Sequence, residues 1–232
     1  MDIVISVGGS VLVPELSAER VSEFARVVEN IADEHSVTVV VGGGKTARDY
    51  IGVARELGSN DAMCDDLGVD VTRINARLLI SAREGAAYPE PPTSYREAED
   101  ALADDKVPVM GGTAPGQTTD AAAAVFSEYT DADLLVYATS VDGVYTADPS
   151  ADDDARKLES ITPDELIQIV METQMDAGAN SVVDALAAKI IERSRMRTIV
   201  LDGTDPADIE CAVLDGVHDG TEILPEDDDA QG

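Results

Sequence analysis

The chain has very little cysteine and few aromatic residues. Cys64 and Cys211 are the only cysteines among 232 residues, tryptophan is absent, and aromatic residues make up 3% of the chain. Two cysteines are too few for a disulfide scaffold, and neither lies in a spacing typical of a structural metal site. We therefore expect a reducing, cytoplasmic environment and a core of Val, Ile, Leu and Ala, which suits helices packed on a parallel sheet.

Basic residues are also scarce. The chain has 16 Lys and Arg against 47 Asp and Glu, a formal net charge of -31, and its only lysines are Lys45, Lys106, Lys157 and Lys189. A field of this size repels nucleic-acid backbones and anionic membranes, so we expect neither as a partner. A carboxylate-rich, lysine-poor surface resembles that of proteins from salt-loving organisms, where concentrated salt screens the self-repulsion. We therefore predict folding that depends on salt.

Long apolar runs are missing as well. No stretch approaches the ~20 consecutive apolar residues of a membrane-spanning helix, and no basic segment followed by an apolar run stands at the amino terminus. We expect a protein that is neither exported nor embedded in a membrane. The length of 232 residues fits one α/β domain.

Repeated strand, glycine turn and helix patterns predict an α/β fold with a mainly parallel sheet. Apolar runs predict strands over 3–7, 37–41, 107–110, 134–138 and 198–201. Helical periodicity and capping residues predict helices over 46–57, 67–87, 94–103, 121–129 and 182–193, with others starting at Ser17, at the capping box of Thr162 and Glu165, and at Asp205. The segment 226–232 is predicted to be a solvated acidic end.

Three glycine-rich turns stand at predicted strand ends, over 8–10, 42–45 and 111–116. Free backbone N–H groups at the start of a helix bind anions, and the carboxyl ends of parallel strands converge on one crevice. The turns match neither a P-loop nor a dinucleotide-binding fingerprint. Lys45 follows three glycines, where its ammonium can reach a phosphate, and Arg48 lies one turn further on. Asp120 is consistent with either a helix cap or a catalytic-site residue.

Histidine chemistry is not expected, because His35 and His218 are the only histidines and His35 lies at a helix end remote from the glycine turns.

Together these segments resemble the archaeal-type UMP kinase branch of the amino-acid-kinase family, over nearly the whole chain from Ile3 to about Ile223. The resemblance is carried by residues 7–12, 42–45 with Arg48, 108–113, 118–120 and 142–149. It implies a three-layer sandwich with a central, mainly parallel sheet of the carbamate-kinase-like type. It also implies direct in-line transfer of the γ-phosphoryl group from ATP to UMP, with Mg²⁺ accompanying ATP and no protein metal ligand. Relatives of this kind imply a homo-oligomer, specifically a homohexamer.

By the same resemblance, one domain spans 1–232, with an acceptor lobe over about 1–135, an ATP lobe over about 136–224 and an acidic tail over 225–232. The catalytic residues would be Lys45 and Asp120. The residues implied for ATP are Gly9, Ser10, Gly44, Arg48, Thr139, Ser140, Tyr145 and Asp148. Those implied for UMP are Gly43, Asp65, Thr113, Ala114, Pro115, Gly116, Gln117, Thr118 and Thr119.

One position departs from the family pattern. Many members carry a lysine two residues before the first glycine of the opening turn, where this chain has Ser6. We expect Lys45 to supply the compensating charge, with Lys189 as the alternative.

Two other functions remain consistent with the motifs. One is another small-molecule kinase of the same fold, acting on an acylated amino acid or isopentenyl phosphate. The other is a nucleotide-binding module without turnover.

Overall fold

The computed structural model describes residues 1–85, 88–149, 151–175 and 182–225. In chain order the elements are β1 (Asp2–Val7), α1 (Gly9–Leu12), α2 (Ala18–Ala32), β2 (Ser36–Val41), α3 (Gly44–Glu56), α4 (Asp61–Ser81), α5 (Tyr95–Ala103), β3 (Val109–Met110), α6 (Thr119–Tyr129), β4 (Leu134–Thr139), β5 (Ser160–Ile161), α7 (Pro163–Met175), α8 (Ala185–Ser194), β6 (Thr198–Asp202), α9 (Pro206–Glu210), a π-helical turn (Cys211–Asp215) and β7 (Thr221–Ile223). None of the described helices is long and apolar enough to cross a membrane.

The described strands form one sheet in the order β3-β2-β1-β4-β6-β7-β5. All neighbours are parallel except β6 and β7. Val7, the last residue of β1, is in register with Val41 of β2 and Ala138 of β4. The turns that follow these three strands therefore lie side by side on one edge of the sheet.

Alternate strand residues point to opposite faces, and each face is buried under helices. On one face, Ile3, Ile5 and Val39 belong to a core that includes Phe24 and Ile31 of α2. On the other face, the core contains strand residues Val4, Val40, Leu135 and Tyr137, together with side chains of α6, α7 and α8. Helix, sheet and helix layers confirm the predicted three-layer α/β fold.

Helix boundaries differ from the prediction where capping side chains decide them. α4 begins at Asp61, six residues before the predicted start, because the Asn60 side chain accepts a hydrogen bond from the Met63 amide at 2.9 Å. It ends at Ser81, whereas the prediction extended to 87, and residues 86–87 lie outside the described part. The predicted helix over 182–193 begins only at Ala185, after its cap Asp184.

The remaining predictions had three outcomes: one is confirmed, two strands were missed, and one segment lies outside the described residues. The capping box before α7 is present, since the Glu165 carboxylate accepts from the Thr162 amide at 2.8 Å and the Thr162 hydroxyl accepts from the Glu165 amide at 3.2 Å. The short strands β5 and β7 were not predicted. The acidic segment 226–232 lies outside the described residues.

Candidate active site

The first two glycine turns pack backbone to backbone at the sheet edge. A Cβ on Gly42 would lie 2.6 Å from the Gly9 nitrogen, and one on Gly44 would lie 2.5 Å from the Gly9 carbonyl carbon. Gly44 also has a φ of +63°, which disfavours any side chain. Because no Cβ fits between the turns, they form one continuous backbone surface.

This surface presents unpaired backbone donors. Within the described residues, the N–H groups of Gly9, Ser10, Gly43, Gly44 and Lys45 have no hydrogen-bond acceptor. They stand at the starts of α1 and α3, where no side chain caps the helix. Convergent amides and the positive end of the 13-residue helix α3 favour a bound anion.

Lys45 and Arg48 bring positive charge to the same end of α3. The Lys45 side chain is 72% exposed and its Nζ lies 2.6 Å from the Asp49 carboxylate. Arg48 is exposed one turn further along the helix. A surface ion pair of this kind is weak, so the Lys45 ammonium can leave Asp49 for a phosphate at little cost.

Helix α4 supports the second and third glycine turns with buried polar side chains. The Asn75 amide donates to the Gly42 carbonyl oxygen at 2.8 Å. The Thr72 hydroxyl accepts from the Gly112 amide at 2.7 Å and donates to the Val69 carbonyl oxygen at 2.6 Å. Thr72 and Asn75 were not predicted as site residues, although buried polar residues three positions apart on an apolar helix face are a usable signal.

The loop over 113–119 folds against α4 and α5. The Asp65 carboxylate accepts from the Gly116 amide at 2.9 Å, so two residues predicted for the acceptor are in contact. The side chain of Gln117 accepts from the hydroxyls of Thr113 at 2.6 Å and Tyr95 at 3.0 Å. Three residues at the tip of this loop are exposed, namely Ala114, Pro115 and Gly116. The loop therefore offers its backbone and small side chains to solvent.

Asp120 is held in a polar cluster beneath the turns. The Ser6 hydroxyl donates to the Asp120 carboxylate at 3.2 Å, and the Tyr137 hydroxyl donates to the Asp120 carbonyl oxygen at 2.9 Å. Burial raises the pKa of Asp120 to about 7, the negative charge of Asp184 adds to the shift, and the Ser6 hydroxyl opposes it. Near neutral pH this carboxyl can therefore gain or lose a proton.

A helix cap is not the role of Asp120, because Thr118 fills that position. The Thr118 hydroxyl accepts from the Ala121 amide at 3.0 Å, and Thr119 is the first residue of α6. The same Thr118 hydroxyl donates to the carboxylate of Asp184. Asp184 also caps α8, accepting from the amides of Leu186 and Ala187 at 2.8 and 3.0 Å. Asp184 was not predicted, because the sequence separates it from Thr118 by 66 residues.

The predicted ATP residues that follow β4 lie next to the first glycine turn. Gly8 donates its amide to the Ala138 carbonyl oxygen at 3.0 Å, which places Thr139 and the exposed Ser140 beside that turn. The Thr139 hydroxyl accepts from the Val141 amide at 3.0 Å. Further along, Tyr145 and Asp148 line a small cleft of about 30 Å³, walled by apolar residues of α7.

Lys189 and His35 lie away from this arrangement. Lys189 is on the exposed face of α8, with its Nζ 3.1 Å from Glu192. His35 directly precedes β2, at the opposite end of that strand from the glycine turn.

A sheet edge with unpaired backbone N–H groups at two helix starts is consistent with a kinase of the predicted family. The model of the amino acid kinase family matches residues 1–202, and the chain belongs to that family. Among curated proteins, the chain is 56% identical over 228 residues to the uridylate kinase of Haloquadratum walsbyi, covering 98% of this chain and 95% of the relative. It is 54% identical over 227 residues to the uridylate kinase of Haloarcula marismortui, covering 97% of this chain and all of the relative.

A solved structure agrees. The crystal structure of uridylate kinase from Archaeoglobus fulgidus superposes with a TM-score of 0.88 at 48% identity, covering 97% of this chain and 100% of that one. The UMP kinase structure from Bacillus anthracis, at 21% identity and a TM-score of 0.81, shows a shared fold. The family resemblance predicted from the motifs is confirmed.

Proposed function

We propose that the chain catalyses the ATP-dependent phosphorylation of UMP to UDP. The observation that carries the proposal is the continuous backbone surface of the first two glycine turns. Its unpaired N–H groups lie at the carboxyl ends of β1 and β2, where two phosphate groups can bind side by side. The names of relatives that match almost the full chain support UMP as the acceptor.

The two substrates are assigned to adjoining parts of this edge. ATP is proposed to lie over the part of the chain from about 136 to 224, with its phosphates reaching the first turn, and UMP over about 1 to 135. The ATP residues are Gly9, Ser10, Gly44, Arg48, Thr139, Ser140, Tyr145 and Asp148. The UMP residues are Gly43, Asp65 and the loop from Thr113 to Thr119.

Catalysis in this site is a matter of alignment and charge. The acceptor phosphate is already ionised at neutral pH, so no strong base is needed to activate it. The backbone donors hold the donor and acceptor phosphates in line, and Lys45 stabilises the charge that develops on the transferred group. Asp120, whose carboxylate accepts from the Ser6 hydroxyl at 3.2 Å, is proposed as the second catalytic residue.

Mg²⁺ is proposed to enter with ATP. The described residues contain no group of three His, Cys, Asp or Glu side chains placed to hold a metal ion. The ion would then be held mainly by ATP phosphates and water, where it neutralises phosphate charge.

We further propose a cytoplasmic homo-oligomer, specifically a homohexamer, on the basis of the family resemblance. Size-exclusion chromatography with light scattering in concentrated salt measures the assembly directly. A monomeric mass at micromolar concentration would contradict the assignment.

A coupled ADP-release assay in concentrated KCl tests the activity. The acceptors are UMP, CMP, N-acetylglutamate and isopentenyl phosphate, each at the same concentration with ATP and Mg²⁺. We expect turnover with UMP far above that with the others. Turnover with another acceptor alone would identify a different kinase of the fold, and ATP binding without turnover on any of them would identify a binding module.

A further inference from the structure

The loop after β4 carries proposed ATP residues but belongs to no helix and no strand of the sheet. It runs from Val141 to Asp148 and includes Tyr145. Gly143 has a φ of +151°, so the backbone turns sharply within it. A loop of this kind holds its shape only through contacts with the segments around it.

One ammonium group connects this loop to two other segments. Lys157 Nζ donates to the Asp142 carboxylate at 3.1 Å and to the Asp219 carbonyl oxygen at 2.7 Å, and it lies 3.0 Å from the Asp219 carboxylate. Three acceptors match the three N–H donors of an ammonium. Hydrogen bonding to Asp219 raises the pKa of Lys157 above its ordinary value, which keeps the group charged.

The setting of Lys157 is unlike that of the other paired lysines. Its side chain is 21% exposed, against 72% for Lys45 and 58% for Lys189. The aliphatic stem lies over Gly143, where a Cβ would come within 3.2 Å of the Lys157 Cδ atom. The enclosed stem and the three bonds therefore leave the ammonium little freedom.

The contacts reach Tyr145 by two routes. The Tyr145 hydroxyl donates at 2.9 Å to the same Asp142 carboxylate that accepts from Lys157. The backbones of Tyr145 and Lys157 also form an antiparallel bridge, flanked by a hydrogen bond from the Leu158 amide to the Val144 carbonyl oxygen at 2.9 Å. Moving Lys157 would therefore move Tyr145.

We propose that Lys157 is a positioning residue for ATP: its ammonium holds Asp142, and through Asp142 the ring of Tyr145, in the conformation that receives the nucleotide. This inference rests on the proposed function, which places ATP against Tyr145 and Asp148. Lys157 acts without touching ATP, because its donors are already used by Asp142 and Asp219.

Loss of the ammonium has a second, electrostatic consequence. Asp142 and Asp219 would stand uncompensated beside the site of a polyanion, and like charges repel. Lys157→Met keeps an aliphatic side chain of similar length and removes the charge. Lys157→Arg keeps the charge but places its N–H donors on a planar guanidinium. Both the holding contact and the local charge balance therefore predict weaker ATP binding in the Met variant and partial recovery in the Arg variant.

Steady-state kinetics in concentrated KCl test the inference, varying ATP at saturating UMP and then UMP at saturating ATP. For Lys157→Met we expect the KM for ATP to rise about tenfold, equivalent to about 1.4 kcal/mol. We expect kcat and the KM for UMP to stay within about twofold, since the acceptor site is untouched. Lys157→Arg is expected to fall between the wild type and the Met variant. The matched control is Lys106→Met. Lys106 is exposed and lies just before β3, at the other side of the sheet from β5, so its substitution should leave the KM values for ATP and UMP unchanged.

If Lys157 only stabilised the fold and did not position Tyr145, its loss would change the kinetic constants in a different way. Parallel changes in both KM values, or a lowered kcat alone, would overturn the inference, and so would an unchanged KM for ATP. If Lys157→Met does not fold, Asp142→Asn tests the same link from the other side and should also raise the KM for ATP. Calorimetric titration of ATP into each variant separates the two proposals. If the wild type does not phosphorylate UMP, the proposed function fails. The role of Lys157 is still decided by comparing the ATP dissociation constant of Lys157→Met with that of the wild type.

Discussion

Lys45→Met is expected to abolish most turnover while leaving the fold intact. The side chain is 72% exposed and its partner Asp49 is 61% exposed, four residues away on the same helix. Exposed pairs of this spacing stabilise a protein by about 0.3 to 0.5 kcal/mol. The variant should therefore lose no more than about 0.5 kcal/mol of unfolding free energy, because no buried contact is removed.

The effect on catalysis should be much larger than the effect on stability. In the proposed mechanism the Lys45 ammonium faces the charge that develops on the transferred phosphoryl group. Removing one group of this kind from a preorganised site lowers kcat by about 10²- to 10³-fold, or about 2.7 to 4 kcal/mol. The substrates retain the backbone N–H donors of the glycine turns, so their KM values should change less than kcat.

Two measurements on the same samples decide the matter: denaturant unfolding and the coupled ADP-release assay, both at one fixed high salt concentration. Lys189→Met is the matched control, since Lys189 is a helical surface lysine, 58% exposed and paired with Glu192. It should retain turnover. The reasoning is refuted if Lys45→Met keeps turnover within about threefold of the wild type, or if Lys189→Met is the variant that loses it.

Three further predictions follow from the same site and from the charge of the chain. Gly44→Ala should destabilise the protein by more than about 2 kcal/mol and weaken ATP binding, because its Cβ would lie 2.5 Å from the Gly9 backbone at a φ of +63°. Gly52→Ala, on the same helix with nothing within 4 Å, should be neutral or stabilising; equal unfolding free energies for both variants would contradict the packing argument. The raised pKa of Asp120 makes the folded state bind a proton that the unfolded state releases, so its contribution to stability is present below about pH 4 and lost as pH rises to about 7. In denaturant titrations between about pH 4 and about pH 7, Asp120→Asn should therefore lose on the order of 2 to 4 kcal/mol less unfolding free energy than the wild type. The same pH dependence of unfolding free energy in both proteins would refute the raised pKa of Asp120. Finally, the thermal unfolding midpoint should rise steeply between about 0.1 M and about 2 M KCl, and full stability in dilute buffer would disprove salt-dependent folding.

Much of the fold is predictable because its signals are local. Four valines in five residues followed by three glycines describe β2 and its turn without any knowledge of partners. The proline and capping box before α7 specify its first turn in the same way. α4 was predicted to start too late, because its first residues have a weak apolar pattern and only the Asn60 cap marks the true start.

The short strands were not predictable on this basis. β5 has two residues and β7 has three, and their pairing joins positions about 60 apart in the chain. A run of two or three residues has no measurable periodicity, so only the partner strand makes it a strand.

The candidate site divides in a similar way. Glycines, Lys45, Arg48 and the loop over 113–119 stand out by residue type and place, and the family resemblance gave them roles. The side chains that support the site could not be predicted, because each of them forms hydrogen bonds with residues far away in the sequence. These side chains are Thr72, Asn75, Asp184 and Lys157. A side chain at one position cannot reveal which distant carbonyl or carboxylate it will meet.

The amino-acid sequence by itself determined the α/β class, the scarcity of basic charge and the three places where glycine interrupts a strand-to-helix connection. These are properties of composition and of short-range pattern. Only the tertiary structure decided that the first two turns merge into one surface, since that contact depends on β1 and β2 lying in register. Only the tertiary structure decided the ionisation of Asp120, because desolvation depends on what packs around a carboxyl and not on its neighbours in the chain.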